Sequence, residues 1–383
     1  MRTIAASVAL LLVASSPLFA QGRGDRPAPV VSPEVTPDRM VTFRLRAPDA
    51  EKVTVIIAEI FRQVPGYDES WYTGRFSDDE VPLEKGPDGV WSLTLGPLVP
   101  DIYDYAYMVD GVRTLDPVNL DIKPGDAALE NWLTVRGAEP LYSDQKPVPH
   151  GAVTTVDYES RSLGLVRHFN VYTPPGYETS GERYPVLYLL HGAGNSYATW
   201  VSAGAHHIMD NLVAEGSATP MIVVMPNGHV AAGANEVPAD TPGGAFGADL
   251  LTDVMPRVEA RFRTIEDREG RAIVGLSMGA GQTAALGFAR LDLFSHIGLM
   301  SGAGLDREGR LRSYMPDART ANDKLRLFWI GRGEGENVEG ARAHSQVLTD
   351  NGIEHVLHIS RFGHSWITWR RDLYYEVGPK LFQ

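Results

Sequence analysis

The chain has 383 residues, 43% hydrophobic and 22% charged, which is the balance of a folded globular protein and is too long for one ordinary domain. Its formal net charge of −13 argues against nucleic acid or an anionic membrane as partner. Cysteine is absent, which removes disulfides, thiolate nucleophiles and cysteine-ligated metal sites from consideration.

At the N-terminus, Arg2 precedes an apolar run from Ile4 to Val13, and Ala20 stands before the polar Gln21. A basic start, a short apolar core and a small residue before a polar one predict a secretory signal peptide over residues 1–20. The run is too short to span a bilayer, so the mature protein is expected to be exported, with no membrane partner. Residues 21–32 are rich in Gly, Pro and Arg and read as a disordered leader.

Strand signals fill residues 33–136. Val41–Leu45 and Val90–Leu95 alternate apolar and polar side chains, Val53–Ala58 is β-branched and apolar, and Tyr103, Tyr105 and Tyr107 share one face of Ile102–Val109. Asp88-Gly89 and Asp110-Gly111 mark hairpin turns. These features predict a small all-β sandwich. Residues 137–150, with Pro140, Pro147 and Pro149, read as a linker.

From residue 151 to 383 the pattern becomes α/β. Apolar runs at Phe169–Tyr172, Pro185–Leu190, Met221–Met225, Ala272–Val274, Ile297–Met300, Leu325–Ile330 and His355–Ile359 have strand character. Helical runs alternate with them near Ile208–Glu215, Leu250–Phe262, Gln282–Arg290, Glu339–Asp350 and Trp366–Leu381. The alternation predicts a doubly wound, mostly parallel sheet whose strand C-termini carry the site.

The chemistry centres on Gly275-Leu276-Ser277-Met278-Gly279, set between a strand and a helix. A G-x-S-x-G turn in that context exposes the serine hydroxyl above a helix N-terminus, and the N–H of the next residue faces a developing oxyanion. Ser277 is therefore the candidate nucleophile, with Met278 an oxyanion-hole donor. In the order Ser, acid, His, the base follows the last strand, which selects His364. The acid should follow Leu325–Ile330, where the loop offers Glu336 first, Glu334 second and Glu339 third. Pro185–Leu190 runs into His191-Gly192-Ala193-Gly194, whose Ala193 amide is the second oxyanion donor. No metal-binding, dinucleotide or phosphate-loop motif follows any strand, so neither metal nor cofactor is expected.

Two resemblances add to this reading. Val41-Thr42-Phe43-Arg44-Leu45-Arg46-Ala47-Pro48, Gly89-Val90-Trp91 and Tyr105-Ala106-Tyr107-Met108-Val109-Asp110-Gly111 resemble early-set immunoglobulin-like modules that precede glycan-active domains. Some relatives of such modules bind glycans, which leaves two readings of Trp71, Tyr72 and Trp91: a sugar-stacking platform, or the core and interdomain packing usual for aromatics in so small a module. From residue 150 onward the chain resembles the esterase D-like α/β-hydrolases, and within them carbohydrate esterase family 1. The matching stretches include Val171-Tyr172-Thr173-Pro174-Pro175-Gly176-Tyr177, Leu189-Leu190-His191-Gly192-Ala193-Gly194 with Trp200, Met225-Pro226-Asn227-Gly228 and His364-Ser365-Trp366 with Trp369.

The second resemblance implies an α/β-hydrolase fold and a secreted serine esterase acting on feruloyl or acetyl esters of xylan, with Trp200, Trp366 and Trp369 lining the cleft. It departs at the acid, because the family's aspartate falls on Glu336. A siderophore or other small-ester hydrolase is the alternative enzyme, and a catalytically impaired glycan-binding protein is the alternative class. The partner is a small-molecule or polysaccharide ester, and the oligomeric state is left open, a homodimer included.

Overall fold

The computed structural model describes residues 29–60, 63–74, 78–126, 130–302 and 316–383. The expected signal peptide, and the leader up to residue 28, lie outside them. Among the described residues no helix is long and apolar enough to cross a membrane.

Among the described residues, ten strands build the N-terminal region: β1 Glu34–Val35, β2 Val41–Arg46, β3 Val53–Ala58, β4 Asp78–Pro82, β5 Glu84–Lys85, β6 Val90–Leu95, β7 Asp101–Val109, β8 Val112–Thr114, β9 Ile122–Lys123 and β10 Glu130–Val135. They form one sheet in the order β1-β2-β6-β5 and a second in the order β4-β3-β7-β10-β9, with β8 paired to β7. In β2, Val41, Phe43 and Leu45 are buried while Thr42, Arg44 and Arg46 are half-exposed, the two-residue period of a strand with one face in a core. That core is shared, since Phe43 of one sheet packs against Tyr105 of the other with ring centroids 5.0 Å apart. Of the two readings of its aromatics, Trp91 takes the packing one. Trp91 is buried, and its Nε1 donates to Ala47 O at 2.9 Å, so it is a core residue.

The stretch expected to be a linker is docked. Leu141, Tyr142 and Ser143 are buried, and Asn211 Nδ2 donates to Tyr142 O at 2.8 Å and to Asp144 O at 3.0 Å.

Among the described residues, eight strands follow: β11 Ala152–Ser160, β12 Leu165–Thr173, β13 Val186–Leu190, β14 Ile222–Pro226, β15 Arg271–Leu276, β16 His296–Met300, β17 Leu327–Gly333 and β18 Val356–Ser360. Their order is β11-β12-β14-β13-β15-β16-β17-β18, antiparallel at the β11–β12–β14 edge and parallel from β14 to β18. This is the doubly wound sheet of an α/β-hydrolase. β11 carries no uninterrupted apolar run and escapes a search for one, because this edge strand buries only alternate residues along its second half. Central strands are covered on both faces and so are apolar throughout, as in β13. Tyr188 and Leu190 face one core, while Leu187 and Leu189 face the other.

Sandwich and sheet are knit together. Phe362 and Ile367, from the loop after β18 and the helix Trp366–Arg371, are buried in the sandwich core. Asp101 at the start of β7 is fully buried, and it pairs with Arg370 and, at 2.8 Å, with Arg371.

Candidate active site

Ser277 joins β15 to the helix Met278–Ala289 with φ 51° and ψ −112°. A non-glycine residue there costs about 1–3 kcal/mol and persists only where its surroundings impose it. Two glycines allow the imposition. A Cβ on Gly275 would fall 2.3 Å from Gly279 O, and one on Gly279 would fall 2.6 Å from His191 O. The Ser277 N–H is held by Met300 O at 2.9 Å.

His364 follows β18, and its ring bridges two partners. Nε2 lies 3.0 Å from Ser277 Oγ, and Nδ1 lies 2.7 Å from Glu336 Oε1. A neutral imidazole protonated on Nδ1 donates to the carboxylate and accepts from the hydroxyl, the arrangement a base needs.

Of the three candidate acids, the one that meets His364 is Glu336. Glu334 and Glu339 have exposed side chains. The Glu336 carboxylate is braced on both oxygens. Oε2 accepts from Ser301 Oγ and from the Gly333 N–H, each at 2.8 Å, and Arg332 Nη1 reaches Oε1 at 3.2 Å. Burial works to raise its pKa, but the His364 hydrogen bond, the charges of His364 and Arg332, and the Gly333 N–H outweigh it. The group is held below the usual glutamate value and stays ionised.

The loop after β13 lies against the serine, for a Cβ on Gly192 would fall 3.1 Å from Ser277 Cβ. Ala193 lines the cleft with Ser277, and Met278 is the first residue of the helix, at its positive end. His191 steadies this loop. Burial pushes its pKa down to about 4, so the ring is neutral. Its Nδ1–H donates to Gly192 O at 2.8 Å, and its Nε2 accepts the Gly228 N–H at 2.8 Å.

The three tryptophans divide. Trp366 and Trp369 line the cleft, but Trp200 does not. Trp200 is 1% exposed, donates Nε1–H to Leu190 O at 3.2 Å, and meets Trp366 edge-on at 5.0 Å, so it supports the wall from behind. Trp369 backs the chemistry, with its ring edge-on to His364 at 5.1 Å and its Nε1–H donating to Ser301 Oγ at 2.9 Å. Ser301 and Arg332 escape the sequence reading because neither sits in a motif. The positive φ of Ser301 (50°), which aims its side chain, is a property of the folded backbone.

The cleft encloses about 560 Å³ and is lined by residues of both regions. Elsewhere, among the described residues, His150, His207 and Asp210 bring three atoms able to bind a metal within 4.8 Å of one another, a cluster that motif spacing does not reveal. None of the three lines the cleft. Asp210 already accepts from the Gly151 N–H and from Tyr172 Oη, each at 2.8 Å.

The Esterase family model matches residues 160–378. The chain belongs to this family. Over 354 residues the Esterase-family chain is 31% identical to the endo-1,4-beta-xylanase/feruloyl esterase of Xylanibacter ruminicola, covering 89% of this chain and 44% of that one. It thus spans less than half of that relative's length. A carbohydrate esterase family 1 ferulic acid esterase from Anaeromyces mucronatus superposes with a TM-score of 0.52 at 25% identity, covering 62% of this chain and 93% of that one. The enterobactin esterase of Shigella flexneri reaches a TM-score of 0.63 at 17% identity over 90% of this chain and 92% of that one, a likeness of fold alone.

Proposed function

We propose that this Esterase-family protein is a serine carboxylic-ester hydrolase whose substrates are plant cell-wall esters, feruloyl or acetyl groups on xylan. The observation that carries the reading is the hydrogen-bonded line from Ser277 Oγ through the His364 ring to Glu336, at 3.0 and 2.7 Å. Ser277 Oγ attacks the ester carbonyl while His364 Nε2 takes its proton. Glu336 holds the ring in the required tautomer and stabilises the imidazolium. The N–H groups of Ala193 and Met278 receive the developing oxyanion. His364 then protonates the leaving alcohol, and a water activated by the same ring clears the acyl-enzyme.

The glutamate in place of the family's aspartate supports a working acid, because its longer side chain reaches the imidazole while Ser301 and Gly333 fix its far oxygen. The substrate class is supported by the names of the Xylanibacter and Anaeromyces relatives. Export is supported by the signal-peptide pattern of residues 1–20.

The test compares methyl ferulate, acetylated xylan and a catecholate lactone as substrates of the wild-type protein and of Ser277→Ala. Turnover of a cell-wall ester that disappears in the variant is expected. Turnover that survives the substitution refutes the nucleophile, and preference for the lactone refutes the substrate class.

A further inference from the structure

The cleft beside Ser277 has a wall that the hydrolase sheet does not supply. Asp78, Asp104, Arg113, Lys123 and Glu130, all from the N-terminal sandwich, line the same opening as Ser277 and His364. They come from β4, β7, β8, β9 and β10, so one sheet presents a charged surface to the reacting centre.

Four of the five satisfy one another. Lys123 Nζ contacts Asp104 Oδ2 at 2.5 Å and also the Glu130 carboxylate, which in turn holds Arg113. Two cations and two carboxylates balance. Asp78 is the remaining carboxylate. Among the described residues Thr73 bonds to its backbone carbonyl, no hydrogen bond reaches its carboxylate, and burial and the neighbouring charges act on that group. Burial, with Asp104 and Glu130, outweighs Arg113 and Lys123 and pushes its pKa up to about 7.

The chemistry of this wall selects its ligand. An anionic group would meet three carboxylates against two cations. An apolar group would strip water from those charges and return no hydrogen bond. A group with several hydroxyls suits both signs, because a hydroxyl donates to a carboxylate and accepts from an ammonium or guanidinium. The aromatic ring of an acyl group has no such use for it.

We propose that the sandwich wall is the subsite for the hydroxyl-rich alcohol portion of the ester, with Asp78 accepting a hydrogen bond from a sugar hydroxyl. This rests on the hydrolase reading above and names the part of the substrate that the N-terminal region holds. On it, the sandwich is one wall of the active-site cleft, and its contact with sugar is made by a charged cluster.

The experiment pairs two esters of one acid, methyl ferulate and feruloyl-arabinose, with wild type and Asp78→Ala. A second arm titrates an arabinoxylo-oligosaccharide into Ser277→Ala and into Ser277→Ala/Asp78→Ala by calorimetry. The kcat/KM ratio of sugar ester to methyl ester is expected to fall about 10-fold in Asp78→Ala, the size of one lost hydrogen bond. Oligosaccharide affinity is expected to fall by a similar factor. An unchanged ratio, or equal loss on both esters, overturns the proposal. If wild type hydrolyses neither ester, the hydrolase reading fails instead. The calorimetric arm then judges the subsite by itself, and equal affinity in the two variants overturns it.

Discussion

Glu59 Oε1 accepts the backbone N–H of Gly363 at 2.9 Å, so a carboxylate of the sandwich grips the residue that precedes His364. The grip is built in. Glu59 is 8% exposed and sits just past β3 with φ 64°, while Thr368 Oγ1 donates to the Gly363 carbonyl at 2.6 Å. With Phe362 and Ile367 seated in the sandwich core, the loop carrying the imidazole is held from the N-terminal side.

Glu59 is therefore a positioning residue. Glu59→Ala leaves a buried N–H unsatisfied, a loss of about 1–3 kcal/mol that falls on the His364 loop. The expected result is a kcat lowered about 10-fold on a small ester, with KM little changed. Glu59→Gln keeps an acceptor and should restore most of the rate. Equal damage from both variants, or a loss confined to KM, contradicts the role.

Replacing the acid should separate the three glutamates of its loop. Glu336→Gln removes the charge that stabilises the imidazolium and permits the wrong tautomer, and a kcat loss of about 10³–10⁴-fold is expected at unchanged thermal stability. Glu334→Gln should stay within about 2-fold of wild type, since surface changes of this kind shift energies by only about 0.5 kcal/mol. Steady-state kinetics on methyl ferulate decide it, and a larger effect at 334 would reassign the acid.

Ser301 acts through Glu336. Its hydroxyl donates to Oε2 at 2.8 Å and accepts from Trp369 at 2.9 Å. Ser301→Ala removes a hydrogen bond to a buried carboxylate, which is worth about 1.5–3 kcal/mol. A kcat reduction of roughly 10-fold or more is expected, together with an acid limb of the pH–rate profile moved to higher pH, because Glu336 loses a group that favours its ionised form. A profile that does not move would show that the acid is held without it.

Asp372 gives a stability test with a definite sign. It is 1% exposed, and burial raises its pKa to about 7, with Glu376 and Glu336 adding to the rise against the Ser360 hydrogen bond. A carboxyl raised above its unfolded value favours folding below the unfolded pKa and destabilises increasingly as pH rises toward 7. Asp372→Asn should therefore stabilise the protein relative to wild type by about 2 kcal/mol more at pH 8 than at pH 5. Urea midpoints at the two pH values measure it, and a difference independent of pH refutes it.

The strand–elbow–helix around Ser277 and the place of His364 were legible in the sequence, because both depend on local chain direction. Gly275 and Gly279 permit the turn, and the base must follow the last parallel strand. Glu336 stood first of three candidate carboxylates in the sequence, and the one that meets the ring is that residue, though which glutamate faces it depends on how the chain turns after β17. That turn brings Gly333 against the loop of His364, and a Cβ on Gly333 would fall 2.2 Å from Phe362 O. Trp200 was misplaced for a related reason. An apolar ring beside a helix reads alike whether it lines a cleft or fills a core, and its 1% exposure decides the matter.

The sequence by itself determined the order of the two regions, the α/β pattern and the places of Ser277 and His364 in the chain, all of which follow from short-range periodicity and turn chemistry. Tertiary structure alone decided that Ser301 and Arg332 brace Glu336, that Glu59 holds the His364 loop, and that Asp78 and Lys123 line the cleft that holds Ser277. Except for Arg332, four residues from Glu336, these contacts join residues distant in the chain through packing, which leaves no period or motif in the sequence.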